Sequence, residues 1–327
     1  MFPKLIIFTS FFFLLIGCKK EVNQGKTPDI YVAGKMYVDG AKASAVYWKN
    51  GQLMVLDSGS YAKAICVNGS DVIVAGGGNN GNLRTAKYWI NSIPFNLTDG
   101  SKDAEVNALS VSGSDVFIAG KNGSYATYWK NGSEVALTDG TKKASALSIF
   151  VSGKDIYLAG YEGNKAKYWK NGVSGYSLSP DSVLFSAATA ICVSGRDIYI
   201  ALSEASATDG SIILWKNGIR KVLGTSTHGA YVESICITNN DVYVCGEIAD
   251  AVGYKARYWK NGIETVISDP QANDGAMGMC IFRNDVYVVG VDYTRSTCVA
   301  KYWKNGTEHK LVTENKSSWG YGMFVTE

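Results

Sequence analysis

Amphipathic helical patterning is missing from this 327-residue sequence: no ten-residue stretch places its apolar residues on one helical stripe. Strands are left as the building element. Proline is scarce, with five residues, and histidine scarcer, with two. No Gly-x-Ser-x-Gly, His-Glu-x-x-His or phosphate-loop string occurs, so those three chemistries have no motif to rest on. No Cys-x-x-Cys pair is present, which removes the usual sequence sign of a structural zinc site. An excess of either charge is missing too. Beyond residue 17, 31 Lys and Arg stand against 29 Asp and Glu, so neither nucleic acid nor a polycation is implied as a partner.

What is abundant is glycine, with 36 residues, and tyrosine, with 20, a composition that suits many short strands joined by tight turns. About 310 residues remain after residue 17, ample for one large core. One apolar run occurs, over residues 5–16 behind Lys4. It is too short for a comfortable membrane span and has the proportions of a signal-peptide core. It ends in Leu15-Ile16-Gly17-Cys18, which resembles the lipobox of bacterial lipoproteins. That resemblance implies a signal peptide over residues 1–17 and a lipidated Cys18, with several acyl chains giving stable membrane anchoring. Residues 18–28 then read as a polar tether. Lys19 stands where an inner-membrane retention signal of enteric bacteria has Asp, so an outer-membrane lipoprotein is expected, facing either the periplasm or the cell exterior.

The dominant signal is a seven-fold repeat. Tyr-Trp-Lys-Asn-Gly or a close variant surrounds Trp48, Trp89, Trp129, Trp169, Trp215, Trp259 and Trp303, at spacings of 41, 40, 40, 46, 44 and 44 residues. A second string, Asp followed by branched and tyrosyl residues, begins at Asp29, Asp71, Asp115, Asp155, Asp197, Asp241 and Asp285. Each repeat holds four extended runs, a to d. In the third repeat they begin near Ala104, Asp115, Ala126 and Glu134. Asn-Gly between c and d is the favoured two-residue hairpin turn. Both faces of the b and c runs are apolar, as expected of a blade packed between two others. The fold class expected is all-β: a seven-bladed β-propeller of four-stranded blades over residues 29–327. The chain starts with b, c and d and ends with an a-like run, so the last a strand should complete the first blade and close the ring. The units resemble the YWKNG-type repeats of uncharacterised lipoproteins, especially of Bacteroidota. That resemblance implies a fold and a location, and carries no established activity.

In a blade of this order the a–b and c–d turns share one face of the disc, and the b–c and d–a connections share the other. The second set varies: residues 35–44 are long, 121–124 short, and 203–210 irregular. Binding is expected there, on variable loops of a rigid scaffold. Eleven tyrosines occupy framework positions. Tyr37, Tyr61, Tyr161, Tyr231, Tyr254, Tyr293 and Tyr321 fall in or beside the variable connections, with Trp319, and form the candidate ligand platform; Tyr125 is placed with them. The framework tryptophans read as core. Lys87, Lys167, Arg257 and Lys301 read as stems covering those rings. Cys66, Cys192, Cys236 and Cys280 share one repeat position with Ser110, Phe150 and Phe324, and so read as packing residues. Asp57, Asp99, Asp139, Asp181 and Asp269 read as turn residues, as do the aspartates that open each b run. No metal site, no cofactor and no catalytic residue is assigned.

The function implied is a lipid-anchored, non-catalytic module recognising a glycan or a protein. Two alternatives remain open. A carboxylate-driven glycosidase or lyase would need a pair among acids such as Glu204, Asp209, Asp250, Asp274 and Asp292 with separated pKa values. A structural subunit of an outer-membrane assembly would need a broad apolar patch.

Overall fold

A computed structural model describes residues 26–38, 42–174, 177–293, 297–312 and 316–327. The leader and Cys18 lie outside the described residues, as does Tyr176. The described residues form 28 strands in seven antiparallel four-stranded sheets, with no helix. The third blade sets the pattern: a is Ala104–Ser112, b is Asp115–Asn122, c is Tyr125–Lys130 and d is Ser133–Ala136, hydrogen-bonded in that order. The protein is a seven-bladed β-propeller.

Ring closure follows the expected route. Asp29–Met36 pairs on one side with Ser44–Lys49 and on the other with Ser318–Thr326, from Asp29↔Thr326 through to Met36↔Ser318. The last strand of the chain is thus the a strand of the first blade. A buried cluster then fills every gap between blades. One of them joins Val32 and Trp48 of the first blade to Val289 and Ala300 of the seventh, across the closure.

The Tyr-Trp pair supplies much of this packing. Successive side chains on a strand point to opposite faces. Trp129 accordingly packs with Ile73 and Ala86 of the preceding blade, while Tyr128 packs with Ile149 and Leu158 of the following one. Six of the seven repeat tryptophans are fully buried; Trp215 is half-buried. A single dipeptide therefore serves two interfaces, and its recurrence every 40 to 46 residues is the repeat.

The remaining conserved-looking letters, Lys-Asn-Gly and the opening Asp, form a clamp on one face of the disc. In the third blade Asn131 and Gly132 both hold positive φ, 50° and 84°, as the c–d hairpin requires. Asn131 Oδ1 accepts the Val116 N–H at 2.8 Å, and Asn131 Nδ2 donates to Asp115 Oδ1 at 2.8 Å. Lys130 Nζ reaches Asp115 Oδ2 at 2.8 Å and lies 5.3 Å from the Phe117 ring centroid. The Asn–Asp bond recurs in all seven blades, at 2.7 or 2.8 Å. The opening aspartates are thus more than residues of their own turn, contrary to expectation. Each ties its b strand to a hairpin 16 to 21 residues away. The hydrogen bond from Lys130, then that from Asn131, holds the Asp115 carboxyl below its ordinary range.

Candidate functional site

The a strands contact one another around the ring and line a central channel of about 300 Å³. Each of them carries a one-residue bulge at the same place. In the third blade Val106 pairs with Gly120 and Ala108 with Ala119, so Asn107 is left over. The register shifts in the same way around Lys63, Leu147, Thr189, Glu233, Met277 and Tyr321. All seven left-over residues line the channel. A bulge re-aims its extra side chain, and here it points seven of them inward. Close backbone approach accompanies it: a Cβ on Gly120 would fall 1.9 Å from the Glu105 carbonyl oxygen.

These seven side chains are Lys, Asn, Leu, Thr, Glu, Met and Tyr, all different, in a chain whose framework barely changes from blade to blade. The contrast sharpens along the strand. Two pairs from the bulge on one side the a–b partners are apolar in every blade, as in Ile65↔Val74, Leu109↔Ile118 and Ile235↔Val244. On the other side, toward the b–c and d–a connections, they diverge: Trp319↔Lys35, Tyr61↔Gly77, Glu105↔Lys121, Ser145↔Tyr161 and Tyr231↔Glu247. Packing requires the first set to be alike. The divergence of the second set is unrelated to packing between blades, and it coincides with the variable face.

Two cavities open on that face. The first lies between blades one and two, measures about 620 Å³, and is lined by Lys35, Tyr37, Lys42, Ser60, Tyr61 and Tyr321 among others. Trp319 borders it through Tyr37, ring centroids 6.1 Å apart, with Lys35 Nζ 4.3 Å from the Trp319 ring centroid. Lys63 Nζ lies 4.7 Å from the Tyr321 ring centroid. Four of the eight sequence-predicted site residues, Tyr37, Tyr61, Trp319 and Tyr321, are therefore brought together. The second cavity, about 410 Å³, lies between blades five and six and is lined by Ser203, Asp209, His228, Tyr231 and Glu233 among others. Tyr231 packs on Tyr254 at 6.0 Å. Tyr293 approaches Gly275 beside the Glu247 carboxylate. Tyr161 lines neither cavity but packs at 6.0 Å on Phe185, which lines the second. Tyr61, Tyr161, Tyr231, Tyr254, Trp319 and Tyr321 lie within strands, beside the connections, and Tyr37 and Tyr293 lie in them.

Charge is divided across the mouth. Lys35, Lys42 and Lys63 stand at blades one and two. Burial, with Lys63 nearby, pulls the Lys35 ammonium below its ordinary pKa. Glu233 and Glu247 stand on blade six. Burial, then the charge of Glu233, pushes Glu247 up to about 8, and one of its oxygens is buried without a hydrogen-bond partner. Glu233 keeps some solvent contact through the channel, yet desolvation raises its pKa against the opposing pull of Lys63. Between them Arg84 binds Asp103 at 2.7 Å and Glu105 at 2.8 Å, and Lys121 binds Asp103 at 2.8 Å.

The acids singled out in the sequence already have partners, although Glu204 and Asp209 line the second cavity. Glu204 takes both Arg220 nitrogens, at 2.9 and 2.6 Å, and the Ser179 hydroxyl at 2.5 Å. Asp209 accepts from the Thr208 hydroxyl, and Asp250 from the Val252 and Gly253 N–H groups. Asp274 is buried against Lys301 at 2.6 Å and pairs in register with Asp292. The bases before the tryptophans are neutralised too, Lys87 by Asp57, Lys167 by Glu162 and Arg257 by Glu264. Asp99 and Asp139 make the turns assigned to them, each accepting an N–H and a hydroxyl two residues on. The six described cysteines are all free, and burial pushes the Cys66 and Cys192 thiols up to about 11. His309 stacks on Tyr302 at 4.7 Å on the outer edge.

Sequence reasoning singled out Tyr321 but missed Lys63, Glu233 and their four other counterparts. A signal for them exists: each is flanked by small or short-branched residues, as in Ala62-Lys63-Ala64, Val232-Glu233-Ser234 and Gly320-Tyr321-Gly322, while the centre changes in every copy.

No protein-family model matches the chain, and no curated protein matches it. Solved structures do. An ulvan lyase of polysaccharide lyase family PL25, bound to -[GlcA(1-4)Rha3S]-, has a TM-score of 0.52 at 9% identity, over 81% of this chain and 93% of that one. Drosophila Plexin A in complex with Semaphorin 1b has a TM-score of 0.43 at 6% identity, over 82% and 79%. A Bombyx mori GH32 β-fructofuranosidase has a TM-score of 0.36 at 9% identity, over 73% and 59%. At such identities the likeness extends to the propeller fold alone.

Proposed function

We propose that this propeller is a lipid-anchored recognition module of the bacterial cell envelope, held at the outer membrane through Cys18. It takes a glycan or protein ligand at the channel mouth on its variable face. One observation carries the reading: side chains differ at all seven bulges and vary at the a–b pairs two places beyond them, next to two open cavities, while the buried framework of each blade repeats. A scaffold needs no such divergence. A ligand contacted by several blades at once does, because each blade meets a different part of it. Aromatic rings with polar handles at the cavity walls suit that role.

The carbohydrate-active enzyme alternative has less behind it. Glu233 and Glu247 are shifted in the same direction, whereas an acid–base pair needs one carboxylate held ionised beside a protonated one. The assembly-subunit alternative has exposed apolar residues on the outer strands, including Ile93, Val173, Ile219 and Ile263. These are spread around the rim over the outer strands of different blades, one or two to a strand.

A glycan array probed with the purified chain tests the proposal, followed by crosslinking on intact cells for protein partners. A specific ligand lost on Trp319→Ala or Tyr231→Ala, with folding intact, is the expected result. Binding that survives every substitution at the mouth would remove the reading.

A further inference from the structure

The cavity between blades one and two has a composition that narrows the ligand class. Its lining includes Lys35 and Lys42, and Lys63 adjoins it over the Tyr321 ring; no aspartate or glutamate is among the described lining residues. Asp57 is close in sequence to Gly59 and Ser60, but its carboxylate is already taken by Lys87 at 2.7 Å and by the Ser60 hydroxyl at 2.9 Å. Among the described residues none forms an ion pair with Lys35, Lys42 or Lys63. Other part-buried lysines of this protein are answered by acids, as Lys121 is by Asp103 and Lys301 by Asp274, and so are the six clamp lysines by the opening aspartates, whereas exposed ones such as Lys154 are not. Here three ammonium groups share one opening without such a partner, and Lys35 is half-buried. Like charges gathered in a partly desolvated place are costly unless an anion completes them.

The other walls are aromatic. Tyr37, Tyr61 and Tyr321 line it, and Trp319 borders it through its contact with Tyr37. The volume, about 620 Å³, falls among those of ligand clefts, about 300–1,000 Å³. Rings stack on the apolar faces of sugars, and ammonium groups bind carboxylate or sulfate.

Resting on the recognition reading above, we infer that this cavity binds an acidic oligosaccharide. Its sugar rings lie against Trp319 and the tyrosines, and its carboxylate or sulfate groups are held by Lys35, Lys42 and Lys63.

The test is calorimetric titration of the full chain in detergent with three probes: a galacturonic acid tetrasaccharide, a chondroitin sulfate tetrasaccharide and neutral cellotetraose. Acidic probes should bind and neutral cellotetraose should not, with affinity falling as salt is raised. Which acidic probe binds more tightly separates carboxylate from sulfate recognition. Lys35→Gln and Lys63→Gln should each weaken binding about tenfold, the effect of one lost charge-assisted hydrogen bond. Lys154→Gln, on an exposed a–b turn of the opposite face, removes the same charge and should change nothing. Equal binding of acidic and neutral probes would overturn the inference, as would acidic binding unaffected by the two lysine substitutions. If neither acidic probe binds while the array finds a neutral ligand lost on Tyr231→Ala, the inference falls and the recognition reading stands. If no ligand of any kind is lost on a mouth substitution, both fall.

Discussion

Asn131 Nδ2 donates to Asp115 Oδ1 at 2.8 Å, and the same bond recurs at the same place in every blade. The pair ties the c–d hairpin to the start of strand b, and the asparagine does so from a left-handed conformation. Asn131→Ala removes the acceptor of the Val116 N–H and places a Cβ-bearing residue less suited to positive φ. The expected loss is about 1 kcal/mol, measured by chemical denaturation. Asn91→Ala should cost a similar amount although its blade carries Ile90 in place of the lysine, because the two hydrogen bonds are the same. If only blades with the lysine respond, the ion pair and not the asparagine is the clamp.

Glu247 makes stability depend on pH in a direction opposite to that of the clamp aspartates. In the unfolded chain a glutamate titrates near 4.5, while the folded carboxyl holds its proton up to about 8. Between those values the unfolded chain has released a proton that the fold retains, so stability falls as pH rises through the window and levels off above it. Glu247→Gln should flatten that decline, leaving melting near pH 4.5 unchanged and raising it near pH 8. Glu233, shifted the same way, accounts for the slope that remains. An identical pH profile in the variant would show that Glu247 ionises normally in the fold.

Lys301 and Asp274 are both buried, Nζ and Oδ1 2.6 Å apart, with Glu308 at 3.0 Å from the same ammonium. Removing one partner strands the other. Lys301→Met should destabilise the protein by about 3–5 kcal/mol, while the double change Lys301→Met with Asp274→Leu should recover most of that. Denaturation midpoints of the two variants decide the matter.

Closure rests on Ser318–Thr326. Deleting residues 318–327 leaves Asp29–Met36 with an unpaired edge and opens the apolar surface between blades one and two, where Phe324 packs against Tyr31 and Val74. A broadened, non-cooperative thermal transition is the expected outcome. A melting profile like that of the whole chain would mean that the ring does not depend on this strand.

Much of this architecture is readable in the sequence because packing repeats. Trp129 must fill the same space as Trp169, so the two look alike and give the blade count. Chain ends that lack one strand each announce their pairing. The site was harder to read for the opposite reason. A bulge exists only in the register between two strands, and Asn107 looks in the sequence like one more residue of an extended run. Only pairing exposes it as the one that turns inward. The first cavity joins Tyr37 and Tyr61 to Trp319 and Tyr321, which lie near the other end of the chain, so no local pattern could have grouped them. The clamp aspartates were half legible: their spacing was plain, but their partners stand across a hairpin.

The claim that the non-repeating ring is the recognition surface has one direct test. All seven bulge residues, Lys63, Asn107, Leu147, Thr189, Glu233, Met277 and Tyr321, are replaced by serine in a single chain, and its ligand profile is compared with that of the native protein on one array. The account predicts a folded propeller, intact by circular dichroism and melting, that has lost every specific ligand. A folded variant with the native profile would contradict it and move recognition away from the channel mouth.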